Sequence, residues 1–314
     1  MKVLVTGGAG FIGSHLCKRL LDEGHDVVAI DNLSNGTEYN IECLQGDSHF
    51  EFIKMEINDT EELRVVFETH PFEMVFHLAA NADVYKGLDD SNLDVKNTFL
   101  TTLHILEMMH SFGVRKLFFA SSSTVYGRSE ELIREDSPSL RPVSHYGAAK
   151  LASEAFVSSY NNLYGIQTWV ARFCNVVGPN MTHGVIPDFI KKLKSNPEKL
   201  IVYGDGKQTK PYIYIDDLLD GVMCMLRNAR ESYNDYLIGV DSDVSVEEIA
   251  RIAMLETGIN VPISYELDAV RGKGDVCDYH YDVNKIERLG WNPHFSAKEA
   301  VVQALRDINE NDNN

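Results

Sequence analysis

The sequence predicts an α/β fold: a doubly wound parallel sheet with a smaller C-terminal lobe that covers a substrate. Two observations predict it. Short apolar runs alternate with amphipathic stretches from the first residue to about residue 172. Strands separated by helices need crossover connections, and these give parallel sheets. After about Phe173 the rhythm changes, with Gly178-Pro179, Pro187, Pro197 and Gly204-Asp205-Gly206 interrupting the alternation.

Lys2–Thr6 reads as a buried strand. Phe11–Glu23 reads as a helix, with Phe11, Ile12, Leu16, Leu20 and Leu21 near helical spacing and Gly24 just past its end. Asp26–Asp31 is the second strand and Phe50–Ile57 the third. Thr60–Thr69 is a helix stopped by Pro71. Met74–His77, Lys116–Ala120 and Gln167–Arg172 complete the predicted strands of this half, separated by helices at Ser91–Ser111 and Tyr146–Leu163. In the last third, a strand at Tyr212–Ile215 runs into a helix near Asp216–Leu226. Further helices follow at Val246–Thr257, Asn284–Leu289 and Ala297–Ile308, and Asn309–Asn314 is a polar, fraying end. The expected division is a dinucleotide-binding domain over 1–172, with a returning strand and helix near 211–229, and a lobe over 173–314 that is mostly substrate-binding. No internal repeat is present.

Totals narrow the function classes. Of 314 residues, 44% are hydrophobic and 24% charged, an ordinary globular composition. No apolar run approaches the roughly 18 residues of a membrane span. The start, Met1-Lys2-Val3-Leu4-Val5-Thr6-Gly7, is too short an apolar stretch for a signal peptide, so a cytoplasmic location is expected. Cys17, Cys43, Cys174, Cys224 and Cys277 are scattered without a C-x-x-C and read as unpaired thiols. A net charge of −18 argues against nucleic acid as partner. The eleven histidines show no metal-ligand spacing, and no metal is expected.

The first strand enters Gly7-Gly8-Ala9-Gly10-Phe11-Ile12-Gly13. Glycines here permit a sharp turn (Gly7), close approach of a pyrophosphate (Gly10) and tight helix packing (Gly13). The helix that begins near Phe11 would turn its free N–H groups toward phosphate. The second strand ends in Asp31, whose carboxylate suits the adenosine ribose hydroxyls and repels a 2′-phosphate, so NAD is favoured over NADP. A plain strand-helix turn with a helix-facing acid is the alternative.

Tyr146 and Lys150 stand four residues apart, on one face of a helix. A phenol is a poor base at neutral pH unless a positive charge favours its phenolate. An ordinary amphipathic helix produces the same spacing. The pair gains weight beside Ser121-Ser122-Ser123-Thr124-Val125-Tyr126-Gly127, whose hydroxyls leave the carboxyl end of the fifth predicted strand, where ligands bind in such folds.

Thr6–Gly13, Asp31-Asn32-Leu33-Ser34-Asn35-Gly36, His77-Leu78-Ala79-Ala80, Ser121–Gly127, Tyr146–Lys150 and Arg172-Phe173-Cys174-Asn175-Val176-Val177-Gly178-Pro179 together resemble one family. It is the NAD-dependent epimerase/dehydratase branch of the extended short-chain dehydrogenase/reductases, and the match is strongest to UDP-glucose 4-epimerases. The resemblance covers nearly the whole chain. It implies a Rossmann-type sheet, NAD as cofactor and a nucleotide-linked sugar as substrate. Tyr146 would exchange a proton with a sugar hydroxyl, Ser122 and Thr124 would relay it, and Lys150 would hold the cofactor ribose. Cofactor contacts are implied at Gly7, Gly10, Phe11, Ile12, Gly13, Asp31, Asn32, Ser34, Asn35, Gly36, Glu56, Ile57, Leu78, Ala79, Ala80, Tyr146 and Lys150. Substrate contacts are implied at Ser122, Asn175, Tyr203, Lys210, Arg271, Asp275 and Tyr279.

Within this family, dehydratases carry an acidic pair before the Val-Tyr-Gly, and decarboxylases a glutamate immediately before it. Ser123 and Thr124 stand there instead, so elimination lacks its acid. The implied activity is reversible oxidation at the sugar: a 4-epimerase for UDP-glucose and UDP-galactose or a related UDP-hexose or hexuronate. A dehydratase or decarboxylase of the same branch is the second reading. A non-catalytic dinucleotide sensor is a third, against which the intact Tyr146 and Lys150 count. Departures from the family pattern are Glu56 for an aspartate, Cys174 for an aromatic, Lys210-Pro211 for an Arg-Asp pair, and one extra residue in Arg271-Gly272-Lys273-Gly274-Asp275. Tyr279 falls where side-chain size limits N-acetylated sugars, which implies a preference for unsubstituted glucose or galactose. The family commonly dimerises through two helices of each subunit. Phe99, Leu103, Leu106, Phe156, Tyr160 and Leu163 would supply the contacts, unless they face this chain's own sheet.

Overall fold

The computed structural model of the chain describes residues 1–81, 87–88, 90–129, 131–196, 198–267 and 279–311. Its centre is a parallel seven-stranded sheet. Strands β1 (Lys2–Thr6), β2 (Asp26–Asp31), β3 (Phe50–Lys54), β4 (Met74–His77), β5 (Lys116–Ser122), β6 (Gln167–Phe173) and β11 (Tyr233–Ile238) lie in the order β11-β6-β5-β4-β1-β2-β3. This is the doubly wound, Rossmann-type arrangement that the sequence predicts. The order reverses between β1 and β4, which pair from Val3↔Met74 to Thr6↔His77. A crevice opens at that reversal, beyond the carboxyl ends of the strands.

Alternation explains why both faces bury apolar residues. Val3 and Val5 of β1 share one core with Leu16 and Leu20 of helix α1 (Phe11–Asp22). Leu4 between them joins the opposite core, with Leu63 of α2 (Thr60–Thr69) and Leu106 and Met109 of the next long helix. That helix, α3, starts at Ser91–Asp94, widens into a π-helical segment at Val95–Leu100 and continues as Thr101–Phe112. Helix α4 (His145–Tyr164) packs beside it, capped by Ser144, whose hydroxyl accepts the Gly147 N–H at 3.1 Å.

Several elements differ from expectation. β3 ends at Lys54, three residues early, because Ile57 turns into the core against Leu63 instead of extending the strand. β5 continues through Ser122, and Ser123–Tyr126 forms a 3-10 turn. The strand that returns to the central sheet is β11. Tyr212–Tyr214 (β10) pairs instead with Asn175–Val177 (β7) in a separate ribbon. Two further strand pairs, β8 (Leu200–Tyr203) with β13 (Ile263–Glu266) and β9 (Thr209–Lys210) with β12 (Val244–Ser245), lie in the C-terminal third. An unpredicted helix, α5 (Val185–Ser195), precedes them. Helices α6 (Ile215–Asn228), α7 (Val246–Thr257), α8 (Asn284–Glu287) and α9 (Ala297–Asn311) complete the order, and α9 runs past the expected fraying point at Asn309.

Candidate active site

The loop leaving β1 and the loop leaving β4 meet at the crevice. Gly7 turns with φ +70°, and a Cβ there would lie 2.9 Å from the Ala79 nitrogen. A Cβ on Gly13 would lie 2.0 Å from the Gly7 carbonyl oxygen, so only glycine lets α1 start this close to the turn. Phe11 opens α1, and its ring lies 3.4 Å from where a Gly178 Cβ would stand, so the first helix abuts the segment after β7.

Asp31 closes the other side of this turn. Its carboxylate accepts the Ala9 N–H at 3.1 Å and the Leu33 N–H at 2.8 Å. Burial pushes its carboxyl up, and the amides of Leu33, Ala9 and Gly10 oppose that rise. Asn32 donates to Glu56 at 2.8 Å and accepts the Ser34 N–H, so Asn32 and Glu56 act as one polar rim. Ser34 and Asn35 are exposed beside it, and Gly36 is buried against Ala9. Ile57 is 5% exposed within the core, which leaves its backbone as the part able to meet a ligand.

Hydrogen-bond accounting fixes the β4 side. Thr6 Oγ1 accepts the N–H groups of Leu78 and Ala79, so its own proton goes to His77 Nδ1 at 2.7 Å. The His77 Nε2–H then donates to Thr102 Oγ1 at 3.1 Å, because the Thr102 proton is given to the Thr98 carbonyl. The ring is neutral, and burial, with Lys150 nearby, pushes His77 down to about 3. This strut sets the backbone of Leu78 and Ala79 opposite Gly7, with Ala80 following them in the chain.

Tyr146 and Lys150 stand at the start of α4, over the end of β5. A Cβ on Gly147 would lie 2.7 Å from the Thr124 carbonyl oxygen, so this glycine admits the helix to the Ser-Thr turn. Thr124 donates its hydroxyl (3.0 Å) and its N–H (3.2 Å) to Ser122 Oγ. With both acceptor sites used, Ser122 gives its own proton to the Tyr146 phenol oxygen, an arrangement that favours the phenolate. Burial works the other way and pushes the phenol up to about 12, helped by Asp94. Lys150 is 2% exposed, donates to the Ala120 carbonyl at 2.6 Å and lies 5.9 Å from the Tyr146 ring centroid. Its burial lowers the ammonium to about 7, against the opposing charge of Glu154.

Residues that the sequence reading missed support this pair. Arg172 of β6 grips Glu154 through two bonds, at 3.0 and 2.7 Å, and also reaches Tyr126 and the Glu135 carbonyl. Ser121 completes the cluster by donating to Glu154. Glu154 sits one turn beyond Lys150, a spacing that was available as a signal. The proposed substrate residues are more dispersed. The Asn175 amide donates to the Pro211 carbonyl at 3.1 Å, and the Tyr203 ring lies 4.1 Å from Lys192 Nζ. Lys210 is in β9, and buried Tyr279 stacks on Tyr281 at 5.7 Å. Arg271 and Asp275 lie outside the described residues. Among the described residues no cluster suited to a metal is found, and no helix is long and apolar enough to cross a membrane.

A glycine turn, a buried carboxylate and a Tyr-Lys pair beside a serine thus gather at the carboxyl ends of the central strands. The sequence profile of the NAD dependent epimerase/dehydratase family matches residues 3–239. The chain belongs to that family. Its members use NAD, and the Gly7–Gly13 cradle with Asp31 fits a dinucleotide on its own geometry. Relatives include the UDP-glucuronate 4-epimerase of Thermodesulfobacterium geofontis, 33% identical over 98% of this chain and 96% of that one. The dTDP-D-glucose 4,6-dehydratase of Homo sapiens is 29% identical over 100% of this chain and 91% of that one. Among solved structures, the Thermus thermophilus UDP-glucose 4-epimerase complex with NAD superposes with a TM-score of 0.86. It is 29% identical and covers 98% of each chain. The family thus spans epimerases and dehydratases of nucleotide sugars, and this chain shares its fold over nearly its full length.

Proposed function

We propose that the chain is a NAD-dependent 4-epimerase of a UDP-hexose or UDP-hexuronate, with UDP-glucose and UDP-galactose as the leading pair. One observation carries the choice of epimerase over dehydratase. The two positions before Val125 hold hydroxyls, and both are engaged: Thr124 on Ser122, and buried Ser123 beside the Tyr281 phenol. Neither supplies the carboxylic acid that expulsion of water requires.

Bound NAD supplies the acceptor for the hydrogen on the sugar carbon and a positive ring that favours the Tyr146 phenolate. Tyr146 takes the proton of the C4 hydroxyl and later returns it. Ser122 steadies the phenolate by donating to it, and Thr124 holds Ser122 in that direction. Lys150, locked on the Ala120 carbonyl, places its charge near the phenol. Tyr279 narrows the sugar side and favours unsubstituted hexoses. Better turnover of UDP-N-acetylglucosamine than of UDP-glucose would remove that preference.

We further propose a homodimer through the outer face of α3 and α4. Leu163 is 65% and Phe156 40% exposed there, with Phe99 packed on Phe156 at 5.1 Å. Leu106 does not belong to that face: it is fully buried in this chain's own core. A cytoplasmic location accords with four free cysteines among the described residues. The test of the activity is incubation with UDP-, GDP-, CDP- and dTDP-sugars, read by NMR. The epimer at C4 is expected, and a 4-keto-6-deoxy product would instead establish a dehydratase.

A further inference from the structure

The turn that carries Ser122 and Thr124 is held at both ends by one buried ion pair. At its start, Ser121 is 2% exposed and donates its hydroxyl to Glu154 of α4. At its end, Tyr126 is also 2% exposed, and its phenol oxygen accepts an Arg172 N–H at 2.8 Å. Glu154 and Arg172 meet through two bonds, Nε to Oε1 at 3.0 Å and Nη2 to Oε2 at 2.7 Å. Arg172 also donates to the Glu135 carbonyl at 3.0 Å, and the Glu135 carboxylate accepts the Leu237 N–H of β11 at 2.8 Å. Strand register adds a further tie, because Ser121 of β5 is the direct neighbour of Arg172 on β6. On α4, Lys150 and Glu154 stand one helical turn apart and fasten to consecutive residues of β5. Lys150 takes the Ala120 carbonyl and Glu154 the Ser121 hydroxyl, and Ser122 is the next residue.

Stability alone does not call for this pair. Burying two charges is costly, and an apolar pair of similar volume often leaves a fold equally or more stable. An apolar pair cannot supply directed bonds to Ser121 and Tyr126. We propose that Glu154 and Arg172 are positioning residues for the Ser-Thr turn: pinning Ser121 and Tyr126 keeps Ser122, between them, directed at the Tyr146 phenol. The role rests on Tyr146 being the acid-base group. Arg172 commits separate N–H groups to Glu154, Tyr126 and Glu135 at once, which a lysine ammonium, with fewer donors and no fixed plane, cannot do. The titratable groups facing the pair are Tyr126 of the turn, Glu135 from the chain after it, Tyr233 of β11 and Lys150 along α4. Those facing Tyr146 are Ser122 and Thr124 of the turn, Lys150 of α4 and Asp94 of α3.

Ser121→Ala with Tyr126→Phe removes both arms and leaves the ion pair in place. The NAD-loaded variant is assayed with UDP-glucose across pH beside the wild type, Ser122→Ala and the protein carrying all three changes. kcat should fall about 10-fold with KM little changed. The acidic limb of kcat/KM should move up by about 0.5–1 pH unit, the direction expected for Ser122→Ala. Added to Ser122→Ala, the two changes should move the limb no further, because they act through Ser122. The tyrosinate absorbance, read by difference against the matching Tyr146→Phe protein, needs no substrate, and its midpoint should rise likewise. An unmoved midpoint, or a shift that adds in full to that of Ser122→Ala, overturns the proposal. If the variant does not fold, Arg172→Lys keeps the charge and loses the fork; its midpoint should also rise, and no movement there overturns the proposal equally. A Tyr146→Phe protein that stays active would sink the acid-base reading itself, a result distinct from an unmoved midpoint.

Discussion

The Lys150 ammonium lies 5.9 Å from the centroid of the Tyr146 ring and is locked 2.6 Å from the Ala120 carbonyl oxygen. It is buried with its pKa lowered to about 7, so the fold holds a charge that its own packing disfavours. Lysines in unfolded chains titrate near 10.4. The unfolded state therefore binds one more proton than the folded state between about 7 and 10.4. Stability rises through that window and carries the full penalty below it. Lys150→Met should be inactive yet more stable by roughly 1–3 kcal/mol at pH 7. The gap should shrink as pH rises toward 10, and thermal melts across pH check both the sign and the window.

Ser122 donates to the phenol and lowers its pKa. In Ser122→Ala the phenolate loses that donor, so the acidic limb of the pH-rate profile should shift upward. A fall in kcat of about 10–100-fold at neutral pH should accompany it. Thr124→Ala leaves Ser122 able to rotate, and a smaller loss of the same kind is expected. The pH dependence of kcat/KM for the two variants checks the order.

Arg172 and Glu154 are a buried pair, with side chains 6% and 5% exposed. Glu154→Gln removes one charge and strands the other, which costs about 3–5 kcal/mol where such pairs are broken. Chemical denaturation should show a lower midpoint with an unchanged slope. The double variant Glu154→Leu, Arg172→Met should recover part of the loss, because no buried charge is left unpaired.

Asp31 accepts the backbone N–H groups of Ala9 and Leu33, so replacing it disturbs the glycine turn as well as the proposed ribose contact. Asp31→Ser should weaken NAD binding by at least about tenfold and reduce the discrimination against NADP, since the repelling carboxylate is gone. Fluorescence titration with each dinucleotide measures both.

Legibility in the sequence followed chain distance. Gly7–Gly13, Asp31, Ser122 and the Tyr146–Lys150 pair are short motifs whose spacing carries their chemistry, and the fold brings them to the carboxyl ends of the central strands. The supporting residues are legible only in three dimensions. Glu154 and Arg172 are eighteen apart, and His77 finds Thr6 and Thr102 from opposite directions. Strand β11 escaped notice because Asn234 and Asp235 interrupt its apolar run. Asn234 is nonetheless buried, donating to Thr168 and Glu231 carbonyls at the edge of the sheet. Helix α5 was hidden by Pro187, which sits in its first turn, where a missing N–H costs nothing. Leu106 shows the ambiguity of a helix with two apolar sides: its spacing suited an outer face, and its packing is inward.

In the proposed cycle Tyr146 exchanges a proton with a sugar alcohol whose carbon is oxidised and then reduced again in one site. UDP-glucose deuterated at C4, incubated with the NAD-loaded protein and followed by NMR, tests this directly. UDP-galactose that keeps the deuterium at C4, formed by the wild type and slowed at least about 100-fold in Tyr146→Phe, is the predicted result. Loss of water from the sugar, wash-out of the deuterium, or equal rates in the two proteins would contradict it.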